Sequence, residues 1–328
     1  MSETMTALFG GAGPDWESRR VPVPEPGPGQ VLVRARAVAV NEADISMLDR
    51  ADPASGGSGE PYLAGFEFAG EVAALGDGVD DAEVGERVMG TTPRSFAQYV
   101  LADHRHLARV PGEIGFEEAA ALPTGLLTEH GSLQLGGFAP GQTVLITAGT
   151  SGIGLIGVQM AKALGARSVL ATTRSADKHQ LLRRAGADVV VNTTTQNLAE
   201  VVLDATGGQG VDLVLDHVAG QTFADCLPAT RVDGHVVNIG RLDRAASTID
   251  IDALSYRHLR LIGVSFGFTR AEELGQVIAG LAPEVLPAVA SGEIRATIDS
   301  TFELTQAAQA AARIRGGQAQ GKIVLSLS

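Results

Sequence analysis

The segment TVLITAGTSGIGLIGVQMAKALGA places an apolar run before a glycine-rich turn and an amphipathic helix. Such a turn aims backbone N–H groups of a helix N-terminus at a pyrophosphate, and glycine leaves room for close approach. Gly152, Gly154 and Gly157 match G-x-G-x-x-G by letter. A second frame, Gly149, Ser151 and Gly154, is preferred because the turn must begin where the strand stops. The segment predicts a dinucleotide-binding turn, although an ordinary strand-to-helix turn is the simpler alternative.

The next apolar run, SVLATTRSADK, should end near the ribose of a bound adenosine. NAD-binding proteins place Asp or Glu there, whereas this chain has Thr172, Thr173 and Arg174, followed by Lys178 in the next helix. A guanidinium pairs with a 2′-phosphate through forked, charge-assisted hydrogen bonds. The pattern favours NADPH over NADH, unless both cations are only solvated surface charges.

Two regions of different pattern must position these residues. At 328 residues the chain exceeds the usual size of a single core, which predicts two domains. As far as about Pro123, short β-like runs alternate with Gly, Pro and Asp clusters. From Gly141, strands alternate with helices, which is typical of a parallel, doubly wound α/β sheet. The closing GKIVLSLS is expected to rejoin the first domain as a strand.

Charge and composition exclude several classes of function. The formal net charge of -13, from 25 basic and 38 acidic side chains, disfavours nucleic acid and anionic membrane partners. The single cysteine, Cys226, excludes an intrachain disulfide and a multi-cysteine metal site. No signal-like start or membrane-length apolar run is present. We expect a cytoplasmic protein with a small-molecule substrate.

Several ordered motifs extend over nearly the whole chain: VNEADISMLDR, PYLAGFEFAGEVAALG, VGERVMG, FAQYV, EEAAALPTGLLTEHGSL, AGTSGIG, GHVVNIG and GKIVLSL. In these motifs the chain resembles the zinc-independent medium-chain dehydrogenases/reductases, specifically the quinone oxidoreductase (zeta-crystallin-like) family. The resemblance implies an α/β fold with a GroES-like β-rich catalytic domain, residues 1–123 and 265–328. A Rossmann NADPH-binding domain, residues 124–264, would follow, with the nicotinamide in the cleft between the two domains.

The resemblance also implies a set of cofactor contacts. Near the nicotinamide these are Asn41 and Thr128, and the adenosine contact is Asn192. The remaining implied contacts are the turn Gly149, Thr150, Ser151, Gly152, Ile153 and Gly154, Thr173 at the strand end, Arg174 and Lys178 at the 2′-phosphate, and the groove residues Val218, Ile239, Gly240, Ser265, Phe266 and Lys322.

The metal ligands of the zinc alcohol dehydrogenases in the same superfamily are missing. Those enzymes place a cysteine near Asn41 and Gly-His-Glu where this chain has Gly65, Phe66 and Glu67. The four-cysteine structural lobe is also absent from the sequence. We therefore expect no metal site and no Lewis-acid polarisation of an alcohol.

Without a metal, the implied chemistry is hydride transfer from NADPH to a quinone or a similar electron-poor carbonyl. Asn41, Asp44, Ser46 and Tyr62 are the candidates for shaping the acceptor site, with His130 as a more distant one. Asp44 is as well suited to capping a turn, and Tyr62 to packing.

Two alternatives to the quinone acceptor stay open. Relatives often carry tyrosines at two positions where this chain has Ser46 and Asp52. The lack of these aromatic rings weakens the quinone assignment and makes an enone or 2-enoyl thioester reductase the second candidate. A non-catalytic, crystallin-like NADPH-binding protein is an alternative of another class. The apolar run LRLIGVSF resembles the edge strand through which such proteins pair, which predicts a homodimer.

Overall fold

The structure is a computed structural model that describes residues 3–266, 270–317 and 319–327. The chain forms two compact units. The β-rich unit comprises Met1–Thr124, Phe268–Ala282 and Ala296–Ser328, and the parallel-sheet unit comprises Gly125–Gly267 and Pro283–Arg295. The domain bounds predicted from sequence stay a prediction, and the observed units differ from them most at 283–295, which cluster with the parallel sheet.

The β-rich unit contains two sheets. A three-stranded sheet has the order β2-β1-β4, and a seven-stranded sheet has the order β15-β16-β3-β5-β6-β8, with β7 also paired to β3. The strands are β1 Thr4–Gly10, β2 Glu17–Pro22, β3 Gln30–Val40, β4 Tyr62–Leu63, β5 Glu67–Leu75, β6 Arg87–Thr91, β7 Tyr99–Asp103, β8 Leu107–Arg109, β15 Ile298–Glu303 and β16 Lys322–Ser326.

Strand β3 is the centre of the larger sheet. Its sequence QVLVRARAVAV is buried along most of its length, which fits a strand with neighbours on both sides. The C-terminal strand β16 pairs antiparallel with β3, so that Val324 lies opposite Ala39, and this is the return of the last strand that the sequence predicts. Phe68, Phe96 and Leu48 are fully buried in the core beneath.

The parallel-sheet unit contains a six-stranded sheet of order β11-β10-β9-β12-β13-β14 in which every pair is parallel. The strands are β9 Thr143–Ile146, β10 Ser168–Thr173, β11 Val189–Asn192, β12 Val211–Asp216, β13 Thr230–Asn238 and β14 Arg260–Gly263. The sequence order changes direction at β9, where β10 lies on one side and β12 on the other. This position is the topological switch point at which open α/β sheets bind ligands.

The described helices, in chain order, are α1 Glu42–Ala51, α2 Phe116–Ala120, α3 Pro123–Leu135, α4 Gly152–Ala163, α5 His179–Ala185, α6 Leu198–Ala205, α7 Gly220–Ala229, α8 Ile251–Tyr256, α9 Ala271–Glu284, α10 Leu286–Ser291 and α11 Ala307–Arg315. Helix α4 packs beside α5, and α6 packs beside α7. None of the described helices combines the length and hydrophobicity that a membrane span requires. The predicted α/β fold class is confirmed.

Candidate functional site

The glycine-rich turn lies between the end of β9 and the start of α4. Ala148 adopts a left-handed conformation with φ of 48°. The N–H of Gly149 donates to Thr172 O at 2.9 Å, which fastens the turn to β10. Ser151 is the N-cap of α4, and its hydroxyl accepts a hydrogen bond from the Gly154 N–H at 3.0 Å. The turn is therefore closed at both ends by hydrogen bonds within the parallel-sheet unit.

Two glycines permit close packing of this turn. A Cβ on Gly154 would lie 2.6 Å from Ala148 O, and one on Gly149 would lie 2.9 Å from the Ala171 Cβ. Gly157 instead lies inside α4, where a Cβ would meet the Glu129 carboxyl carbon at 2.6 Å. The turn thus corresponds to the frame of Gly149, Ser151 and Gly154, and Gly157 serves helix packing.

The N-terminus of α4 fits an anionic ligand. The N–H groups of Gly152 and Ile153 donate to no acceptor in the described part of the chain, and both residues are half-buried. Unpaired N–H groups together with the positive end of the helix dipole favour a phosphate or pyrophosphate. The close-packed turn and these free donors fit the pyrophosphate of a dinucleotide.

The end of β10 carries the residues expected near an adenosine ribose. Thr173 is buried and lies opposite Asn192 in the parallel register with β11. Asn192 is also buried, and its Oδ1 accepts hydrogen bonds from the N–H and hydroxyl of Thr194. Arg174 is exposed, and Lys178 is half-buried. The parallel-sheet unit therefore brings together the turn, the two cations and Asn192 at the carboxyl ends of neighbouring strands.

Three of the residues predicted along the rest of the groove, Val218, Ile239 and Gly240, bond to Asp216 at the end of β12. Asp216 Oδ1 accepts from the Val218 N–H at 3.2 Å, and Asp216 O accepts from the Ile239 N–H at 2.7 Å and the Gly240 N–H at 3.2 Å. Thr128 is a buried residue of α3. Ser265 and Phe266 follow β14, and the Phe266 ring packs against Gly131 of α3.

A buried polar cluster occupies the β-rich unit. Asn41 Nδ2 donates to Glu67 Oε1 at 2.9 Å, and Lys322 Nζ donates to Asn41 Oδ1 at 2.7 Å. Lys322 Nζ also forms an ion pair with Glu67 Oε1, and the Thr124 N–H donates to Glu67 Oε2 at 2.9 Å. Glu67 is fully buried and Lys322 is 4% exposed. The carboxylate is therefore compensated by one ammonium and two neutral donors.

Asp44 lies beside this cluster and is buried as well. Its Oδ2 accepts a hydrogen bond from the Asn41 N–H at 2.8 Å, which caps α1, in agreement with the capping role that the sequence leaves open for this residue. Its Oδ1 has no hydrogen-bond partner in the described structure. Burial raises the pKa of Asp44 to about 7 against the opposing effect of the Asn41 hydrogen bond. Because this pKa lies near neutrality, the carboxyl is protonated in about half of the molecules at pH 7 and in most of them at lower pH.

Tyr62 is a half-buried aromatic residue of β4. Its ring packs on Gly10, where a Cβ would lie 2.7 Å from the hydroxyl. The hydroxyl lacks a hydrogen-bond partner among the described residues. Burial raises the pKa of Tyr62 to about 12, against an opposing effect of the nearby Trp16 indole. The phenol is therefore a neutral donor.

Two buried carboxylates of importance are not singled out by the sequence. Glu67 enters the sequence argument only as part of a missing zinc motif, yet it joins Asn41 to Lys322. Glu129 of α3 is fully buried and forms an ion pair with His217 at 2.9 Å. The available signal was an acidic residue within an otherwise apolar stretch, FEFAGEVAAL in one case and TGLLTEHGSL in the other.

Metal binding was tested by the arrangement of the donor side chains. Within residues 3–266, 270–317 and 319–327, no three His, Cys, Asp or Glu side chains converge in a way that could hold a metal ion. Phe66 occupies the position at which the zinc enzymes place their histidine. Two histidines close together in the sequence have partners other than a metal. His106 contacts the Ala271 carbonyl oxygen at 2.8 Å, and His104 pairs with Asp81.

Two family models match the chain. The alcohol dehydrogenase GroES-like domain matches residues 27–130, and the zinc-binding dehydrogenase model matches residues 152–282. Among curated proteins, quinone oxidoreductase-like protein 2 of Bos taurus is 29% identical over 81% of this chain and 77% of its own length. Erythronolide synthase EryA2 of Saccharopolyspora erythraea is 34% identical over 90% of this chain, which spans only 8% of that protein.

Solved structures agree with these matches. A mycobacterial protein complexed with NADPH is 29% identical, with a TM-score of 0.85, and the match covers 98% of this chain and 100% of that one. A 2-haloacrylate reductase is 32% identical, with a TM-score of 0.83, over 99% of both chains. The predicted GroES-like and Rossmann-type architecture is confirmed. The chain belongs to the medium-chain dehydrogenase/reductase family, in which quinone oxidoreductase-like proteins are among its relatives.

Proposed function

We propose that the chain is a zinc-independent, NADPH-dependent oxidoreductase that transfers hydride to a quinone or a similar electron-poor carbonyl. One observation carries this proposal. A turn with free N–H groups, suited to an anion, lies at the same carboxyl end of the sheet as Arg174 and Lys178. An NAD site would have a carboxylate at the position of these cations. The mycobacterial relative complexed with NADPH supports the same cofactor.

In this proposal the turn Gly149 to Gly154 holds the pyrophosphate, Arg174 and Lys178 hold the 2′-phosphate, and Thr173 and Asn192 line the adenosine. The further contacts are proposed on the family resemblance: Asn41, Thr128, Val218, Ile239, Gly240, Ser265, Phe266 and Lys322. The Lys322 ammonium already binds Asn41 and Glu67, so its contribution is to fix the Asn41 side chain.

NADPH, when bound, supplies the hydride. The chain's own residues would orient the acceptor and stabilise the negative charge that develops on its oxygen. Asn41, Asp44 and Tyr62 are proposed for this role, since the protonated Asp44 carboxyl and the neutral Tyr62 phenol are hydrogen-bond donors. Zinc independence rests on the donor set, because Phe66 replaces the histidine and no third ligand converges in the described residues.

Replacing Arg174 by alanine should raise the Kd for NADPH by about 10- to 100-fold, which corresponds to losing one charge-assisted contact. The Kd for NADH should stay within about twofold, because NADH lacks the 2′-phosphate. Fluorescence titration of both cofactors measures this. Arg184→Ala is the matched control, since this exposed arginine of α5 donates to Gln180 of the same helix at 3.0 Å. Equal losses for NADPH and NADH would contradict the assignment.

A specific observation favours a second acceptor class. The 2-haloacrylate reductase and erythronolide synthase EryA2 are both more than 30% identical to the chain. The alternative function is therefore NADPH-dependent reduction of an enone or 2-enoyl thioester. The absorbance of NADPH, followed with 1,4-benzoquinone, 9,10-phenanthrenequinone, a simple enone and crotonyl-CoA, separates the two. Turnover of the enone or thioester alone would favour the alternative, and binding without turnover of any acceptor would favour the non-catalytic, crystallin-like protein.

A homodimer is proposed from the edge of the parallel sheet. In the described structure β14 pairs only with β13, and apolar side chains are exposed in β14 and in the preceding helix α8: Leu261 at 37%, Ile251 at 61% and Tyr256 at 79%. A bare apolar edge strand is a ready pairing surface. A charge at Leu261 (Leu261→Glu) should shift the sedimentation coefficient from dimer to monomer, whereas Val84→Asp in the β-rich unit should not. A wild-type monomer would contradict this proposal.

The remaining predictions stay proposals as well. We propose a cytoplasmic protein with a small-molecule substrate and no nucleic acid or membrane partner, on the net charge of -13 and the residue composition. We also propose that the predicted domains, 1–123 with 265–328 and 124–264, divide acceptor binding from cofactor binding. Binding of labelled DNA or anionic vesicles at physiological salt would contradict the first of these.

A further inference from the structure

The buried pair of Glu129 and His217 is not used by the proposed function. Glu129 lies on α3 and His217 directly follows β12, both within the parallel-sheet unit. Glu129 is fully buried, His217 is 5% exposed, and His217 Nε2 lies 2.9 Å from Glu129 Oε1. The contact does not have the alignment of a hydrogen bond, and neither carboxylate oxygen has another donor in the described structure. The Glu129 charge therefore depends on His217.

The charges around the pair favour a protonated imidazole. Burial alone would lower the pKa of His217, but Glu129 and, more weakly, Asp216 outweigh burial and raise the pKa. Helix α4 contributes Gly157, which packs against the carboxylate without a charge. The neighbouring His130 on α3 faces away to Glu284, at 3.0 Å. Glu129 and Asp216 are thus the charged groups that act on the imidazole.

His217 also joins three strand ends. Its N–H donates to Thr147 Oγ1 at 2.8 Å, and Thr147 Oγ1 donates to Asp216 Oδ1 at 2.8 Å. Its carbonyl oxygen lies so close to Gly240 that a Cβ there would approach it to 2.3 Å. The ends of β9, β12 and β13 therefore meet at His217. The glycine turn, Val218 and Gly240 are all attached to these ends.

We propose that the Glu129–His217 ion pair positions the strand ends of β9, β12 and β13 at the proposed cofactor site, and that NADPH affinity falls when the imidazole loses its proton. This inference rests on the proposed function. Glu129 and His217 are positioning residues, because they act through Thr147, Val218 and Gly240. Loss of the proton would leave a buried carboxylate without a counter-charge, and the structure would relax by moving these strand ends.

The sign of the pH dependence follows from the raised pKa of His217. The pair is intact below the ordinary imidazole pKa of about 6.5 and is lost as the pH rises through the higher value in the folded protein. NADPH affinity of the wild-type protein should therefore be greatest near neutral pH and fall in the alkaline range.

The experiment measures the Kd of NADPH by fluorescence titration from about pH 7 to about pH 9.5, with thermal unfolding followed in parallel by circular dichroism. Glu129→Gln should weaken NADPH binding about tenfold at neutral pH and flatten the pH profile, in the usual range for coupling between sites. The double variant Glu129→Gln/His217→Gln removes both charges and leaves two amides in contact. It should bind NADPH to within about threefold of wild type near neutral pH, with no alkaline loss. Glu284→Gln is the matched control, because it removes the other histidine–glutamate pair at an exposed carboxylate.

Three outcomes would overturn the inference. The first is an alkaline loss of NADPH affinity in Glu129→Gln equal to that of wild type. The second is the same tenfold weakening in Glu284→Gln as in Glu129→Gln. The third is a wild-type protein that binds no NADPH, although its unfolding temperature falls at alkaline pH and this fall is absent in Glu129→Gln. That result would overturn the proposed function as well. In the first two outcomes the proposed function stands.

Discussion

Replacing Lys322 by methionine is expected to lower the free energy of unfolding of the β-rich unit, which contains both Lys322 and Trp16, by about 3 to 5 kcal/mol, the usual result of removing one partner of a buried ion pair. Lys322 is 4% exposed and Glu67 is fully buried, so the carboxylate left behind would keep only the donors of Asn41 and Thr124. Methionine has a similar length and retains the packing of the side chain. The effect therefore comes from the charge.

Urea unfolding followed by tryptophan fluorescence measures this change, because Trp16 is the single tryptophan of the chain and lies buried in the β-rich unit. Arg19→Met is the control within the same unit, since Arg19 pairs with Glu17 at the surface and should cost less than about 1 kcal/mol. Glu67→Gln added to Lys322→Met should recover a substantial part of the loss. An equally small effect of both single substitutions would show that the Glu67 carboxylate does not depend on Lys322.

Local sequence patterns were sufficient to predict the parallel α/β sheet and the position of the glycine-rich turn. The parallel sheet follows from alternating strands and helices, and the turn follows from glycines placed directly after a strand. The structure adds the reason for each glycine, since a Cβ on Gly154 would contact Ala148 O. These features depend on residues close together in the chain. Sequence spacing therefore carries the information.

The buried ion pairs could not be predicted in the same way. Glu67 and Lys322 lie 255 positions apart and meet only because β16 returns to pair with β3. Glu129 of α3 and His217 after β12 likewise meet only in the folded parallel-sheet unit. No spacing or periodicity encodes such a contact, and an acidic residue in an apolar stretch shows only that some partner is needed. The choice between capping and chemistry for Asp44 also required its burial, which the sequence did not supply.

Replacing Asp44 by asparagine is expected to remove a pH dependence of stability. Burial raises the pKa of this carboxyl from 3.8 to about 7, so the folded state binds a proton that the unfolded state has released. Stability contributed by this proton is complete at low pH, decreases as the pH rises above about 4 and is lost above about 7. Between about pH 5 and about pH 8, this group alone should lower the free energy of unfolding of the wild-type protein by about 2 to 3 kcal/mol.

Asparagine is the informative replacement because its Oδ1 still accepts the hydrogen bond from the Asn41 N–H and keeps the cap of α1. In Asp44→Asn, the free energy of unfolding measured by Trp16 fluorescence should vary less with pH by that same 2 to 3 kcal/mol, about the amount that Asp44 contributes. Asp103→Asn is the control, because hydrogen bonds from Arg105 lower the pKa of Asp103 to about 2 and place its titration below this range. Parallel pH profiles of wild type and Asp44→Asn would mean that Asp44 is ionised at neutral pH. The carboxyl would then be an acceptor only, and it could not serve as a hydrogen-bond donor toward a reduced carbonyl oxygen.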